Sequence, residues 1–190
     1  MFNEIYHTTN GGQTWEIQTI EAGYVVNGIA MRSVREGYAI AQNGSSGRLF
    51  RTTDGGAHWS SLGSTGTVPR AIDCPTSGAS CFLVGDSGKF IKVTGTTLTP
   101  YLTNGTVNLA TNLIFVSFPL DDTAGWWGGG PIIRRFENDQ LIADQMYPNS
   151  GWNALTAVDK THAWAMGDLG GTTPAIAFTQ DGKNWIGQSN

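Results

Sequence analysis

Paired and recurring acids, and a row of cations, are the residues of this chain whose types and spacing could do chemistry. Asp121 and Asp122 stand side by side, and Asp86 and Asp168 each follow a glycine, in Gly85-Asp86-Ser87-Gly88 and Gly167-Asp168-Leu169-Gly170. Two carboxylates flanking one bond, one as acid and the other as base or nucleophile, are what glycoside hydrolysis requires. Gly-Asp-x-Gly is first of all turn chemistry, because an aspartate accepts hydrogen bonds from the N–H groups of its own turn. These acids are therefore read as turn residues and not as a catalytic pair. His7, His58 and His162 form no constellation, and neither His nor Cys recurs at ligand spacing, so neither a metal nor another cofactor is expected. No Gly-x-Ser-x-Gly elbow is present, and Gly128-Gly129-Gly130 precedes no helix, which removes a serine nucleophile and a phosphate cradle.

The cations recur at one position. His7, Arg51, Lys92 and Arg134, with Arg135 beside the last, fall at matching places in successive units, and in the last unit the place goes to Phe178. Two readings stay open. The long stems pack across neighbouring aromatic rings because the unit repeats, or the heads line one rim as a positive strip that docks a partner.

The elements that position these residues follow from a repeated turn. Thr8-Thr9-Asn10-Gly11-Gly12-Gln13-Thr14-Trp15 returns as Thr52-Thr53-Asp54-Gly55-Gly56-Ala57-His58-Trp59, and a shortened form, Thr179-Gln180-Asp181-Gly182-Lys183-Asn184-Trp185, closes the chain. Asn10, Asp54 and Asp181 can accept from the turn's own backbone. Gly12, Gly56 and Gly182 suit a backbone with φ above zero, and Trp15, Trp59 and Trp185 give the next strand a large apolar plate. Trp15 to Trp59 is 44 residues and Trp59 to Trp185 is 126, or three units of 42.

A period of that length, with four short strand-like runs per unit, predicts one propeller blade per unit. The expected blades are 25–63, 67–103, 110–146 and 151–188, preceded by two strands, 4–9 and 13–19. The second run of several units ends in glycine, as expected of a crowded inner strand approached by its neighbours. The 26 glycines, 11% aromatic and 14% charged residues agree with a turn-rich all-β chain. The net charge of −4 argues against nucleic acid, and no run is apolar enough to span a membrane.

The pattern Ser/Thr-x-Asp-x-Gly-x-Thr-Trp is the Asp-box, or BNR repeat, and the chain resembles β-propellers that carry it, most of all the photosystem II stability/assembly factor family. Sialidases, xyloglucanases and sortilin-type receptors share the repeat. The resemblance implies an all-β propeller of about four four-stranded blades plus an N-terminal two-stranded half blade, over residues 1–190 as a single domain. It also implies a non-catalytic scaffold that binds a protein partner, outside the cytoplasm, through the basic column. The alternative is a carbohydrate-binding or glycosidase-derived propeller. The sialidase Phe-Arg-Ile-Pro sequence is absent, and Trp126, Trp127, Trp152 and Trp164 either stack on sugar or pack between blades.

No basic and apolar leader precedes the first strand. An array that starts in mid-blade is either a piece of a longer propeller or one completed by another chain, and its open edges favour self-association. A small ring that leaves the first hairpin unpaired is the other expectation. Cys74 and Cys81 flank the turn Pro75–Ser80, where a cross-strand disulfide fits. Export, as the resemblance implies, would keep it oxidised.

Overall fold

Short β-branched and aromatic runs between Gly-rich turns favour strands. In the computed structural model, which describes residues 3–101, 111–146, 151–169 and 173–188, they pair into five antiparallel sheets. β1 (Glu4–His7) and β2 (Glu16–Thr19) pair alone as a half blade. Blade 1 contains β3 (Val25–Met31), β4 (Gly37–Asn43), β5 (Ser46–Thr52) and β6 (Ser60–Ser64). Blade 2 contains β7 (Pro69–Asp73), β8 (Ser80–Gly85), β9 (Lys89–Thr94) and β10 (Thr97–Pro100). β11 (Phe115–Ser117), β12 (Ala124–Gly129), β13 (Ile132–Glu137) and β14 (Gln140–Met146) make blade 3. Blade 4 is β15 (Gly151–Ala157), β16 (Ala163–Leu169), β17 (Thr173–Thr179) and β18 (Ile186–Gln188). Every blade is a meander in chain order, so the fold is all-β and built from propeller blades. The one helical turn among the described residues is a 3-10 turn at Asp86–Gly88.

The blades stack face to face, and strand period two sends alternate side chains to opposite seams. Tyr38, Ile40 and Leu49 of blade 1 pack on Cys81, Leu83, Ile91 and Val93 of blade 2. Phe82, Val84 and Phe90, the other face of blade 2, pack on Trp127 and Phe136 of blade 3. Trp126, one residue from Trp127, joins Trp152, Ala163, Ala165 and Ala177 of blade 4. The half blade sets Ile5 against Ala39, Ala41 and Phe50. Because β8 and β12 are covered on both faces, all their residues are buried. Backbone bonds tie the seams as well, from Leu113 N–H to Gly85 O (3.1 Å) and from Trp152 N–H to Gly130 O (2.8 Å).

The glycines that end β8 and β16 are crowded by a different neighbour from the one expected. A Cβ on Gly85 would collide with Val68 O, and one on Gly167 with Gly151 O. Both oxygens belong to the start of the blade's own first strand, not to an adjoining blade.

The outer faces of the first and last sheets are exposed. Tyr6 and Ile17 on the half blade are 58% and 59% exposed, and Trp164 and Met166 on blade 4 are 38% and 57% exposed. The exposed outer face of blade 4 does not pack on another described blade of this chain, as a small ring would have it. No helix among the described residues is long and apolar enough to cross a membrane.

Candidate functional site

The three boxes repeat one hydrogen-bond pattern between a blade's third and fourth strands. Thr8 Oγ1 accepts from Gly12 N–H (2.9 Å), and Asn10 Oδ1 accepts from Thr14 N–H (3.0 Å). Thr52 Oγ1 accepts from Gly56 N–H (2.8 Å), and Asp54 Oδ1 from His58 N–H (3.0 Å). Thr179 Oγ1 accepts from Gly182 N–H (3.0 Å), and Asp181 Oδ1 from Asn184 N–H (2.7 Å). Those N–H groups, first that of His58 for Asp54 and that of Asn184 for Asp181, hold both carboxyls well below the usual carboxylate range. Trp59 and Trp185 pack back onto the seam with the preceding sheet, whereas Trp15, which has no such sheet behind it, is exposed. In blades 2 and 3 a two-residue hairpin turn replaces the box: Gly95-Thr96, and Asn138-Asp139 with both φ values positive.

In blade 3 the cation column falls one residue later than expected. Strand register sets Arg51 opposite Tyr38, Lys92 opposite Phe82 and Arg135 opposite Trp126, with Phe178 opposite Trp164 in blade 4. Each of these pairs lies on the face that its blade turns toward the next. Arg134 is therefore not a column member: it points through the sheet to the other seam, with Cζ 5.1 Å from the Trp127 ring centroid, and is 4% exposed. Arg135 stands three residues before the turn residue Asn138, the spacing of Lys92 from Gly95 and of Arg51 from Asp54. His7 is on the matching face of the half blade, opposite Glu16.

Each blade cation is held by a ring, an acid or both. Lys92 Nζ lies 5.7 Å from the Phe82 centroid and 5.4 Å from that of Tyr101, with Asp139 at 3.9 Å. Arg135 Cζ is 5.8 Å from the Trp126 centroid, and its head donates to Glu137 Oε2 and Lys160 O, both at 2.7 Å. Arg51 Nη2 donates to Glu36 Oε1 at 2.9 Å. Partial burial opposes ionisation of Glu137, but Lys160 and Arg135 outweigh it and hold its pKa below the usual range. Arg51 and Lys92 keep 26% of their side chains exposed, against 5% for Arg135. Ring stacking is thus built at Lys92 and Arg135, and the accessible charge belongs to Arg51 and Lys92.

The candidate acids do not converge. Both carboxylate oxygens of Asp86 accept from Arg70 (2.7 and 2.8 Å). Asp121 Oδ1 accepts from Thr123 N–H (2.9 Å), and Asp122 Oδ2 from Ala79 N–H (3.2 Å). Asp168 sits in β16 opposite Gly151. His58 Nδ1 lies 2.7 Å from Asp54, and His162 Nδ1 lies 2.9 Å from Asp159. No group of three His, Cys, Asp or Glu suited to a metal occurs among the described residues. Cys74 and Cys81 are joined as a disulfide. Trp126, Trp127 and Trp152 are buried in seams, which leaves Trp164 as the one of the four able to meet a sugar ring.

Several partners escaped the sequence reading. Glu36, Tyr38, Tyr101 and Asp139 complete the column, and an aromatic at one place in each second strand was the available signal. The disulfide loop also clasps its neighbours: Arg32 of blade 1 donates to Gly78 O and to Ala79 O (2.8 Å), and Ser77 N–H donates to Leu120 O of blade 3 (3.0 Å).

No protein-family model and no curated protein matches the chain. Solved structures do. A structure of YCF48 bound to a D1 peptide matches with a TM-score of 0.67 at 19% identity, over 99% of this chain and 63% of that one. The GH74 xyloglucanase of Xanthomonas campestris matches with a TM-score of 0.70 at 12% identity, over 98% of this chain and 34% of that one. A GH74 enzyme of Niastella koreensis gives 0.69 at 14% identity, over 96% and 33%. The chain spans less than two thirds of the length of this YCF48 and about a third of the two enzymes. Box turns, consecutive four-stranded meanders and these matches together make the fold an Asp-box-type β-propeller array.

Proposed function

We propose that the chain is a non-catalytic, protein-binding propeller scaffold of the photosystem II assembly factor kind, one domain over residues 1–190, working outside the cytoplasm. The observation that carries this is the cation–aromatic pair repeated at one register position in three successive blades, with Arg51 and Lys92 still partly open to solvent. Repetition at fixed radius gives a row of donors suited to carboxylates of an extended segment. The likeness to YCF48 in complex with a D1 peptide supports the protein-binding reading, and the disulfide supports an oxidising compartment. Commitment of Asp86, Asp121 and Asp122 to turn and inter-blade contacts supports a scaffold over an enzyme.

The test is binding of a fluorescent D1 peptide to wild type and to the Arg51→Glu, Lys92→Glu double variant, read by anisotropy. Binding that weakens at least tenfold in the variant is the expected result. No binding by wild type, or binding unchanged in the variant, overturns the reading.

The GH74 likeness and the exposed Trp164 favour a second reading, a carbohydrate-binding propeller. A panel of β-glucans that includes xyloglucan tests it: affinity that disappears in Trp164→Ala supports it, and a flat response removes it.

A further inference from the structure

Glycine follows asparagine at Asn10-Gly11, at Asn43-Gly44 and at Asn104-Gly105, the last of which lies outside the described residues. This dipeptide can modify itself, because glycine has no Cβ to keep its backbone nitrogen away from the asparagine side chain before it. The nitrogen gives up its proton to base and attacks Asn Cγ, forming a five-membered imide, while the side-chain nitrogen takes up a proton and leaves as ammonia. Water then opens the ring at either carbonyl. One opening gives aspartate, and the other gives isoaspartate, whose main chain runs through the former side chain. Asn10 and Asn43 are both exposed, and neither Gly11 N–H nor Gly44 N–H has a hydrogen-bond partner among the described residues. The two sites differ in what holds the asparagine side chain. At Asn10 the box fixes it: Oδ1 accepts from Thr14 N–H (3.0 Å) and Thr8 Oγ1 (3.0 Å), and Nδ2 donates to Thr14 Oγ1 (2.8 Å). Attack on Cγ there must turn the carboxamide and give up these bonds.

We infer that Asn43 is a site of spontaneous modification in the folded protein, converting to isoaspartate and aspartate, while the box protects Asn10. Asn43 ends β4 and opposes Ser46 across a two-residue loop, with Gly44 at φ +59° in the first loop position, where a type II′ turn places glycine. Nothing lies within 4 Å of where a Cβ on Gly44 would stand. The Asn43 side chain makes no hydrogen bond among the described residues, so its carboxamide can turn onto Gly44 N without giving one up. Each conversion adds one negative charge to a chain of net charge −4, and isoaspartate lengthens the main chain of the β4–β5 hairpin. That hairpin turn lies at the opposite end of blade 1 from the box turn that joins β5 to β6. The modification therefore leaves Arg51 and the cation column in place.

Peptide mapping by mass spectrometry reads both sites in one digest, because each conversion changes the mass by water gained less ammonia lost, and chromatography separates isoaspartate from aspartate peptides. Wild type held folded at pH 8 is expected to convert Asn43 at least tenfold faster than Asn10. In urea the two are expected to convert at similar rates, since the unfolded chain has no box. Thr14→Val, which removes the acceptor of Asn10 Nδ2, is expected to speed conversion of Asn10 in the folded protein and to leave Asn43 at its wild-type rate. A folded Asn43 that converts as slowly as Asn10 overturns the inference. So does an Asn10 that converts as fast in the folded chain as in urea, or one whose rate Thr14→Val leaves unchanged. No ligand enters the measurement, so its outcome leaves the function test untouched.

Discussion

Asp54 and Asp73 show how one residue type takes opposite roles in this array. The box N–H groups bind the ionised form of Asp54, so its folded pKa lies below that of the unfolded chain. Its contribution is therefore complete above about pH 4 and is lost as acidification approaches the folded value. Asp54→Asn keeps the acceptor, as Asn10 does in the first box, but removes the titration. We expect the urea midpoint of wild type to fall more steeply below about pH 4 than that of Asp54→Asn. For Asp73 burial dominates and pushes the pKa up, although the N–H groups of Phe118 and Cys74 hold part of it back. Its contribution is greatest below about pH 4 and is lost as the pH rises through the folded value. Asp73→Asn removes a buried charge and leaves an acceptor for Phe118 N–H, at 2.6 Å from Asp73 Oδ2. The expected result is a higher melting temperature than wild type at pH 7, with the gap closing below about pH 3. A variant less stable than wild type at both values would refute this.

Turns and hairpins set the blade geometry, and their glycines are not equivalent. Gly56 has φ +94°, and a Cβ there would collide with the amide of Gln18, which donates to Gly55 O at 3.0 Å and so joins the half blade to blade 1. Gly44 has φ +59° with nothing near its missing Cβ. Gly44→Ala is expected to cost about 1–2 kcal/mol for left-handed backbone alone. Gly56→Ala is expected to cost about 1 kcal/mol more, as the Gln18 bond is lost. Chemical denaturation of the two variants checks the difference. The disulfide closes a separation of seven residues, and its reduction is expected to cost about 2–3 kcal/mol by the chain-entropy estimate. Thermal melts with and without reductant should differ for wild type and coincide for Cys74→Ser with Cys81→Ser.

Whole-array stability is the sum of blades and seams, as in other repeat proteins. Trp126 is buried between blades 3 and 4, and Trp126→Ala is expected to cost about 3–5 kcal/mol. Because that loss falls on one seam, amide protection should fall first in β15–β18 and persist in β3–β5 when followed by hydrogen exchange. Equal loss throughout would mean that the array unfolds as a single unit.

Turn chemistry is local, and local features were legible. The box residues, the period and, to within a few residues, the half blade and the blades were readable because each depends on residues close together in sequence, while the expected edges at 103 and 110 lie outside the described residues. The cysteine pairing was readable for the same reason, since one short hairpin brings Cys74 to Cys81. Trp126 and Trp127 could be assigned to opposite faces by strand period alone. What the sequence could not decide is which face meets which neighbour. Whether Glu137 or Asn138 opens the turn of blade 3 decides between Arg134 and Arg135, and a change of one residue reverses every side chain's direction. Asp139, which faces Lys92, and the Lys160 carbonyl, which accepts from Arg135, come from the following blade, far away in sequence. Those contacts exist only once the blades stack, so only the tertiary structure decided them.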